Sequence, residues 1–230
     1  MLQDTQLELS PWSTRTGPGI GGPVPFVAPT SFTVTQPTST NQYLEVSITG
    51  SAYTDGMAVQ QRPWIAPFDP SQICIRYEFD IFPKASAATC AQAIETDLRI
   101  SSPSGYNYNG SFQNNYEEKG QIQVYGVAPN PAWRDTGIMV GLYVQGPQHV
   151  EINYLINDTN TTANGMPPFS MSIVSFELAG KLYPIPVALQ NNPGDNLKWT
   201  PGLYEQLQLD LNYAGGSFAV GFRNIACDWM

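Results

Sequence analysis

From residue 31 onward, apolar and polar residues alternate in short runs, the period-two signature of strands with one buried side. In AIETDLRI (93–100), Ile94, Thr96, Leu98 and Ile100 share one side, and Glu95, Asp97 and Arg99 share the other. RYEFDIF sets Arg76, Glu78 and Asp80 against Tyr77, Phe79 and Ile81. QIQVY sets Gln121, Gln123 and Tyr125 against Ile122 and Val124, and HVEINY sets His149, Glu151 and Asn153 against Val150, Ile152 and Tyr154. EQLQLDLN sets Gln206, Gln208, Asp210 and Asn212 against Leu207, Leu209 and Leu211. Further strands are predicted at 31–35, 43–49, 57–62, 137–144, 169–178 and 218–229, with those above spanning 73–82, 93–100, 121–126, 149–157 and 204–213. Turn-rich stretches such as SSPSGYNYNG, APNPAW and QNNPGDN separate them, and ASAATCAQAI (85–94) is the one weak helix candidate. Many short strands divided by Gly, Pro and Asn turns predict an all-β chain, a two-sheet antiparallel jelly-roll sandwich. One domain over 1–230 is expected, with an extended Pro/Gly-rich segment over about 1–30.

The polar sides carry unusual chemistry. A solvated sheet face favours Lys, Glu, Thr and Arg, whereas these hold Gln, Asn, Tyr, carboxylates and the chain's single histidine. Amides donate and accept hydrogen bonds together, and carboxylates accept pairs of them, a mixture that suits sugar hydroxyls. Gln121, Gln123, Tyr125, Asn153, Gln206, Gln208, Asp210 and Arg99 are therefore candidate ligand contacts, the alternative being a simply solvated sheet. Aromatic rings stack on the CH-rich faces of sugars; Trp64, Tyr106, Tyr108, Tyr116 and Trp133 lie in predicted loops, with Tyr108 and Trp133 preferred. Each could equally plug the sandwich edge. Trp229 alternates with Cys227 and Ile225, as a core residue would. Glu95 and Asp97, two residues apart on one strand side, are the candidate catalytic pair, with Glu151 or His149 assisting from another strand. The competing reading makes Glu95, Asp97 and Arg99 a buried ion-pair network, and His149 a surface residue.

Three resemblances bear on this strand. Glu95-Thr-Asp97 resembles the start of the E-x-D-x-(x)-E strand of concanavalin A-like family 16 glycoside hydrolases, but Arg99 or Ile100 stands where the second Glu belongs. Glu95-Thr-Asp97-Leu98-Arg99 and Gln121-Ile122-Gln123 are similar to the R-x-E-L-R and Q-I-H strands of jelly-roll alginate lyases, with Glu95 in place of the first Arg and Gln123 in place of the His. Tyr77-x-x-Asp80, Ala91-Gln-Ala-Ile-Glu95-Thr-Asp97, Trp133-x-x-Thr136-Gly137 and the final Asp228-Trp229 resemble uncharacterised secreted bacterial proteins of concanavalin A-like type, over about residues 50–229. The resemblances imply a concanavalin A-like fold and a polysaccharide ligand, and the first two imply a glycoside hydrolase or lyase.

Composition narrows the partners. Ten basic against nineteen acidic residues give a net charge of −9, which disfavours nucleic acid and polyanions. No apolar run reaches the length of a membrane span. Low charge and abundant small polar residues point to an extracellular protein. The opening MLQDTQLELSPW shows no signal-peptide pattern, so either the protein stays inside the cell or its signal has been removed. Sequons at Asn109, Asn157 and Asn160 fit secretion weakly. Cys74, Cys90 and Cys227 allow at most one internal disulfide, its pairing open. No cofactor is expected. Structural calcium, common in jelly rolls, would draw on Asp55, Asp158, Asp195 or Asn192, although no Asp-x-Asp loop is present. The expected function is glycan recognition in a polar groove. The alternatives are glycan cleavage through Glu95 and Asp97, or a structural or small-metabolite-acting jelly roll, and the oligomeric state is open.

Overall fold

The computed structural model describes residues 2–4, 11–15, 28–63, 74–102, 105–117, 119–126, 130–140, 147–163, 165–190, 192–194 and 202–229. In chain order the strands are β1 (Leu2–Asp4), β2 (Ser13–Arg15), β3 (Ser31–Thr35), β4 (Leu44–Gly50), β5 (Asp55–Pro63), β6 (Cys74–Pro83), β7 (Ala91–Ser101) and β8 (Asn107–Asn115). They continue with β9 (Gln121–Gly126), β10 (Ala132–Met139), β11 (Gln148–Asn157), β12 (Ser170–Leu178), β13 (Lys181–Pro184), β14 (Asn192–Pro193), β15 (Gly202–Leu211) and β16 (Gly216–Trp229). Helix α1 covers only Ala87–Cys90.

All pairings are antiparallel and build two sheets. The first has the order β13-β12-β11-β6-β16-β4-β3, with β1 on β16 and β14 on β12. The second has the order β10-β9-β8-β7-β15-β5-β2. This is the predicted two-sheet jelly-roll sandwich. Between the sheets lies one core of alternate residues: Leu44, Val46 and Ile48 from β4, Ile75, Tyr77, Phe79 and Ile81 from β6, and Leu207, Leu209 and Leu211 from β15. The period-two reading holds because each strand turns its apolar residues to the core on one side; β6 alternates between half-buried and buried positions along its length, whereas β7, β8 and β15 are buried on both sides.

Some elements differ from expectation. Strand β8 runs into a stretch read as turn, because Asn and Gly are poor strand formers; Tyr108, Gly110 and Phe112 nevertheless alternate inward. The predicted strand 137–144 begins earlier, at Ala132, so Trp133 is a strand residue and not a loop residue; residues 141–146 lie outside the described set. The N-terminal segment contributes β1 and β2, and Trp12 joins the core. The helix is shorter than expected and passes straight into β7. All three cysteines are free thiols. Among the described residues, no helix is long and apolar enough to cross a membrane.

Gly110 is where β8 meets the opposite sheet. A Cβ there would lie 2.6 Å from Tyr154 Cε1, and Tyr154 is wholly buried, so the ring has nowhere to go. Gly110→Ala is expected to cost about 1–3 kcal/mol, as overpacking does, read as a lowered Tm. An unchanged Tm would mean the two sheets are less tightly apposed at this point.

Candidate functional site

Strand register brings the polar sides of the second sheet into rows. Asp55, Asp210, Ala93 and Asn115 face one another across β5, β15, β7 and β8. The next row is Arg15, Met57, Gln208, Glu95, Gln113, Gln123 and Asp135. A third holds Ser13, Val59, Gln206, Asp97 and Ser111, and a fourth Gln61, Tyr204, Arg99 and Asn109. The sheet thus collects candidates from three separate sequence segments onto its outer side.

Their side chains are nearly all buried: Glu95, Asp97, Arg99, Gln113, Gln123, Gln206, Gln208 and Asp210 are each 4–8% exposed. Burial forces them to satisfy one another, and they do so in one direction. Arg99 Nε donates to Asn109 Oδ1 at 3.2 Å, and Arg99 Nη2 to Gln206 Oε1 at 3.4 Å. Gln206 Nε2 donates to Asp97 Oδ2 at 2.8 Å and to Gln208 Oε1 at 3.2 Å, and Gln208 Nε2 donates to Asp210 Oδ1 at 2.9 Å. The chain begins at a cation and ends at carboxyls, so each amide dipole reinforces the next. A second chain passes from Gln113 and Asn115 to Gln123 and on to Asp135.

The carboxyls divide into two groups. Asp97 is ion-paired with Arg99 at 3.5 Å; burial raises its pKa, and Arg99 and a hydrogen bond from Ser111 oppose the rise. Asp210 is hydrogen-bonded to both Glu95 and Asp55. Three carboxyls so close cannot all ionise. Burial first, and Asp210 next, push Glu95 well above the usual carboxylate range and Asp55 up to about 8. Asp210, raised by burial, accepts from both and from Gln208. The expected buried network therefore exists around Arg99 and Asp97, while Glu95 belongs to the proton-holding set.

A hollow of about 580 Å³ opens where β2, β5, β15 and β7 meet. Ser13, Arg15, Gln61, Arg99, Tyr204 and Gln206 are among its lining residues. It admits solvent to the Arg99 end of the chain. At the far margin Tyr125 and Trp133 meet edge to face with ring centroids 5.5 Å apart.

Four predicted site residues stand elsewhere. His149, Glu151 and Asn153 are on β11 of the first sheet, on the opposite side of the sandwich, because their neighbours Val150, Ile152 and Tyr154 fill the core. There Glu151 pairs with Arg76 at 3.8 Å and accepts from Asn153 Nδ2 at 2.7 Å, and His149 lies 3.1 Å from Asp80. None of the three can assist Glu95 or Asp97. Tyr108 points into the core and donates to Asp158, so it is not a ligand contact. Tyr116 is in the core and Tyr106 packs against it; Trp64 and the Trp229 side chain lie outside the described residues. Among the described residues, each calcium candidate has another partner. Asp55 is bound to Asp210, Asp158 to Tyr108, and Asn192 to backbone carbonyls of Asn109 and Tyr125, while Asp195 lies outside the described residues. Asn157 donates to three backbone carbonyls and Asn109 to Ser111, so neither side chain is presented as a glycosylation acceptor.

Sequence reasoning missed Asn109, Ser111, Gln113 and Asn115 on β8, and Ser13, Arg15, Gln61 and Tyr204 around the hollow. The alternation of Tyr108, Gly110 and Phe112 was the signal for β8. Asp55 was read as a loop ligand when it starts a strand.

No family model matches the chain. No curated protein matches it either. Among solved structures it is similar to an endo-1,3-beta-glucanase from Streptomyces sioyaensis, at 14% identity and a TM-score of 0.48, covering 99% of this chain and 95% of that one. It is also similar to a legume lectin-like domain from Entamoeba histolytica, at 10% identity and a TM-score of 0.46, covering 95% and 89%. An alginate lyase in complex with alginate trisaccharide follows at 6% identity and a TM-score of 0.48, covering 82% of each chain. These are likenesses of jelly-roll fold; the functional reading rests on the site alone.

Proposed function

We propose that the outer side of the second sheet is a carbohydrate-recognition face, entered through the hollow beside Arg99. The observation that carries this reading is the directional chain of amides that starts from Arg99 beside that hollow. Inside, the chain fixes the orientation of Arg99 and Gln206, so they meet a ligand without further ordering. At the opening, Ser13, Arg15, Gln61 and Tyr204 add donors and acceptors, and Val59 adds apolar surface for ring CH groups. A hollow of this size falls within the usual range for small ligands. We propose further that the protein works outside the cell and that its glycan is neutral, since a net charge of −9 disfavours a polyanion.

Glycan cleavage is the second reading, favoured by one arrangement: Glu95 is hydrogen-bonded to Asp210, and burial and Asp210 push its pKa well above the usual carboxylate range, the direction a general acid needs. Incubation with a polysaccharide panel, read by both retention and product release, separates the two. Gln206→Ala should abolish retention in either case. Glu95→Gln should leave retention within about tenfold if the protein only binds, and should lower product release by about 10²–10⁴-fold if Glu95 is the acid. Retention by Gln206→Ala equal to wild type would remove the face from consideration.

A further inference from the structure

The polar face has a second end, on β9 and β10, away from the hollow. There the register pairs Tyr125 with Trp133 and Gln123 with Asp135. These four residues take the outer side, because the alternate residues Ile122 and Val124 fill the core. The two rings meet at 75° with centroids 5.5 Å apart. Rings so steeply inclined cannot stack flat, so Tyr125 leaves at least one face of Trp133 uncovered. Among the described residues Trp133 has no other ring partner, and neither ring belongs to the core cluster. Tyr125 is only 9% exposed, yet among the described residues its hydroxyl makes no hydrogen bond, and neither does the Trp133 indole N–H. Beside them the second amide chain reaches the surface. Buried Gln113 donates to Gln123, and Gln123 Nε2 donates to Asp135 Oδ1 at 2.5 Å. Asp135 is exposed, and among the described residues no cation pairs with it. A bulge just beyond it pins the strand: Gly137 has φ 76°, Thr136 Oγ1 donates to Ile122 O at 2.7 Å, and Ile138 N–H donates to Thr136 Oγ1 at 3.2 Å.

We infer that Trp133, Tyr125 and Asp135 form a second sugar site, which takes a single neutral hexopyranose ring independently of the hollow. The inference rests on the carbohydrate reading of the face, but on none of the residues that line the hollow. Chemistry names the occupant. An open aromatic face suits a flat CH surface, and a carboxylate with one oxygen already held by an amide offers its other oxygen to hydroxyl donors. The Tyr125 hydroxyl adds a donor and acceptor beside the same ring. A hexopyranose presents a CH face and hydroxyls together. Separateness follows from the sheet: β10 lies three strand spacings from β7, about 14 Å from the Arg99 end of the hollow. Between them Ser111 and Gln113 on β8 are buried, so no open track joins the two sites. One ring held by one stack and a few hydrogen bonds binds on the order of millimolar, so retention on a polysaccharide still depends on Gln206.

The test titrates isotope-labelled protein with the methyl glycosides of glucose, galactose and mannose over a millimolar range. It is read at the Trp133 indole N–H and the Gln123 side-chain amide, with Trp133→Phe assigning the indole signal among the five tryptophans. Both signals should shift together and saturate with at least one glycoside, and should do so equally in Gln206→Ala. Asp135→Asn should weaken binding about tenfold, the loss of one hydrogen bond to a charged group. Trp133→Ala should leave the Gln123 amide unmoved. Both variants should keep the wild-type Tm, since neither side chain is in the core; should Trp133→Ala lower it, Asp135→Asn alone decides. Wild-type affinity in Asp135→Asn overturns the site. Loss of both shifts in Gln206→Ala overturns its independence. Shifts at Gln206 without shifts at Trp133 overturn this site and spare the hollow, and silence at both overturns the carbohydrate reading with it.

Discussion

Arg99→Met is expected to destabilise the protein by about 3–5 kcal/mol, the cost of leaving one partner of a buried ion pair alone. Both side chains are close to fully buried, Arg99 at 10% and Asp97 at 6% exposure. The arginine holds more than Asp97, because its Nε and Nη2 also orient Asn109 and Gln206. A chain of this size loses about 2–4 °C of Tm per kcal/mol, so a fall of roughly 6 °C or more is expected. Adding Asp97→Asn removes the orphaned charge and should restore much of the loss. If Arg99→Met melts like wild type, the pair is solvated and the buried network is wrong.

Alkaline sensitivity is the second large effect, and its direction follows from the carboxyl set. In the unfolded chain Asp and Glu titrate near pH 4. In the folded protein Asp55 keeps its proton to about 8, and Glu95 is raised as well, by burial and then by Asp210. Among the described residues, the charged groups that act on Glu95 are Asp210, Asp97 and Asp55, all acidic, and each opposes its ionisation. Above about pH 4 the folded state binds more protons than the unfolded state, and stability falls as pH rises. The loss runs from about pH 4 through pH 8 as Asp55 ionises, and Glu95, raised above the usual carboxylate range, adds to it. A Tm on the order of 5 °C lower at pH 9 than at pH 5 is expected. Glu95→Gln keeps a donor to Asp210 and removes one titrating proton, so its Tm should fall less steeply. Parallel Tm-against-pH curves for the two proteins would show that Glu95 ionises normally in the fold.

The architecture was legible because the core demands alternation, and alternation survives wherever a strand buries one side. Glu95, Asp97, Arg99, Gln121, Gln123, Gln206, Gln208 and Asp210 could be assigned to polar sides without knowing their neighbours. Which sheet each strand joins was not legible: nothing in HVEINY distinguishes an outward side on the first sheet from one on the second. His149, Glu151 and Asn153 were therefore grouped with residues that lie across the core from them. Tyr108 misled for a different reason, since a tyrosine in a turn-like composition looks exposed until its strand is recognised. The hollow was hidden because Ser13 and Arg15 sit on a three-residue strand whose local sequence has too little alternation to announce itself. The partnership of Asp55 with Asp210 depended on long-range register, which sequence spacing does not encode.

The central claim is tested most directly by following the side-chain amide signals of isotope-labelled protein during titration with the tightest-binding oligosaccharide from the panel. Gln206 and Gln208, on the second sheet, should shift in proportion to occupancy, while Asn153, across the sandwich, should stay fixed. Shifts at Asn153 with Gln206 and Gln208 unmoved would place the ligand on the other sheet and contradict the account.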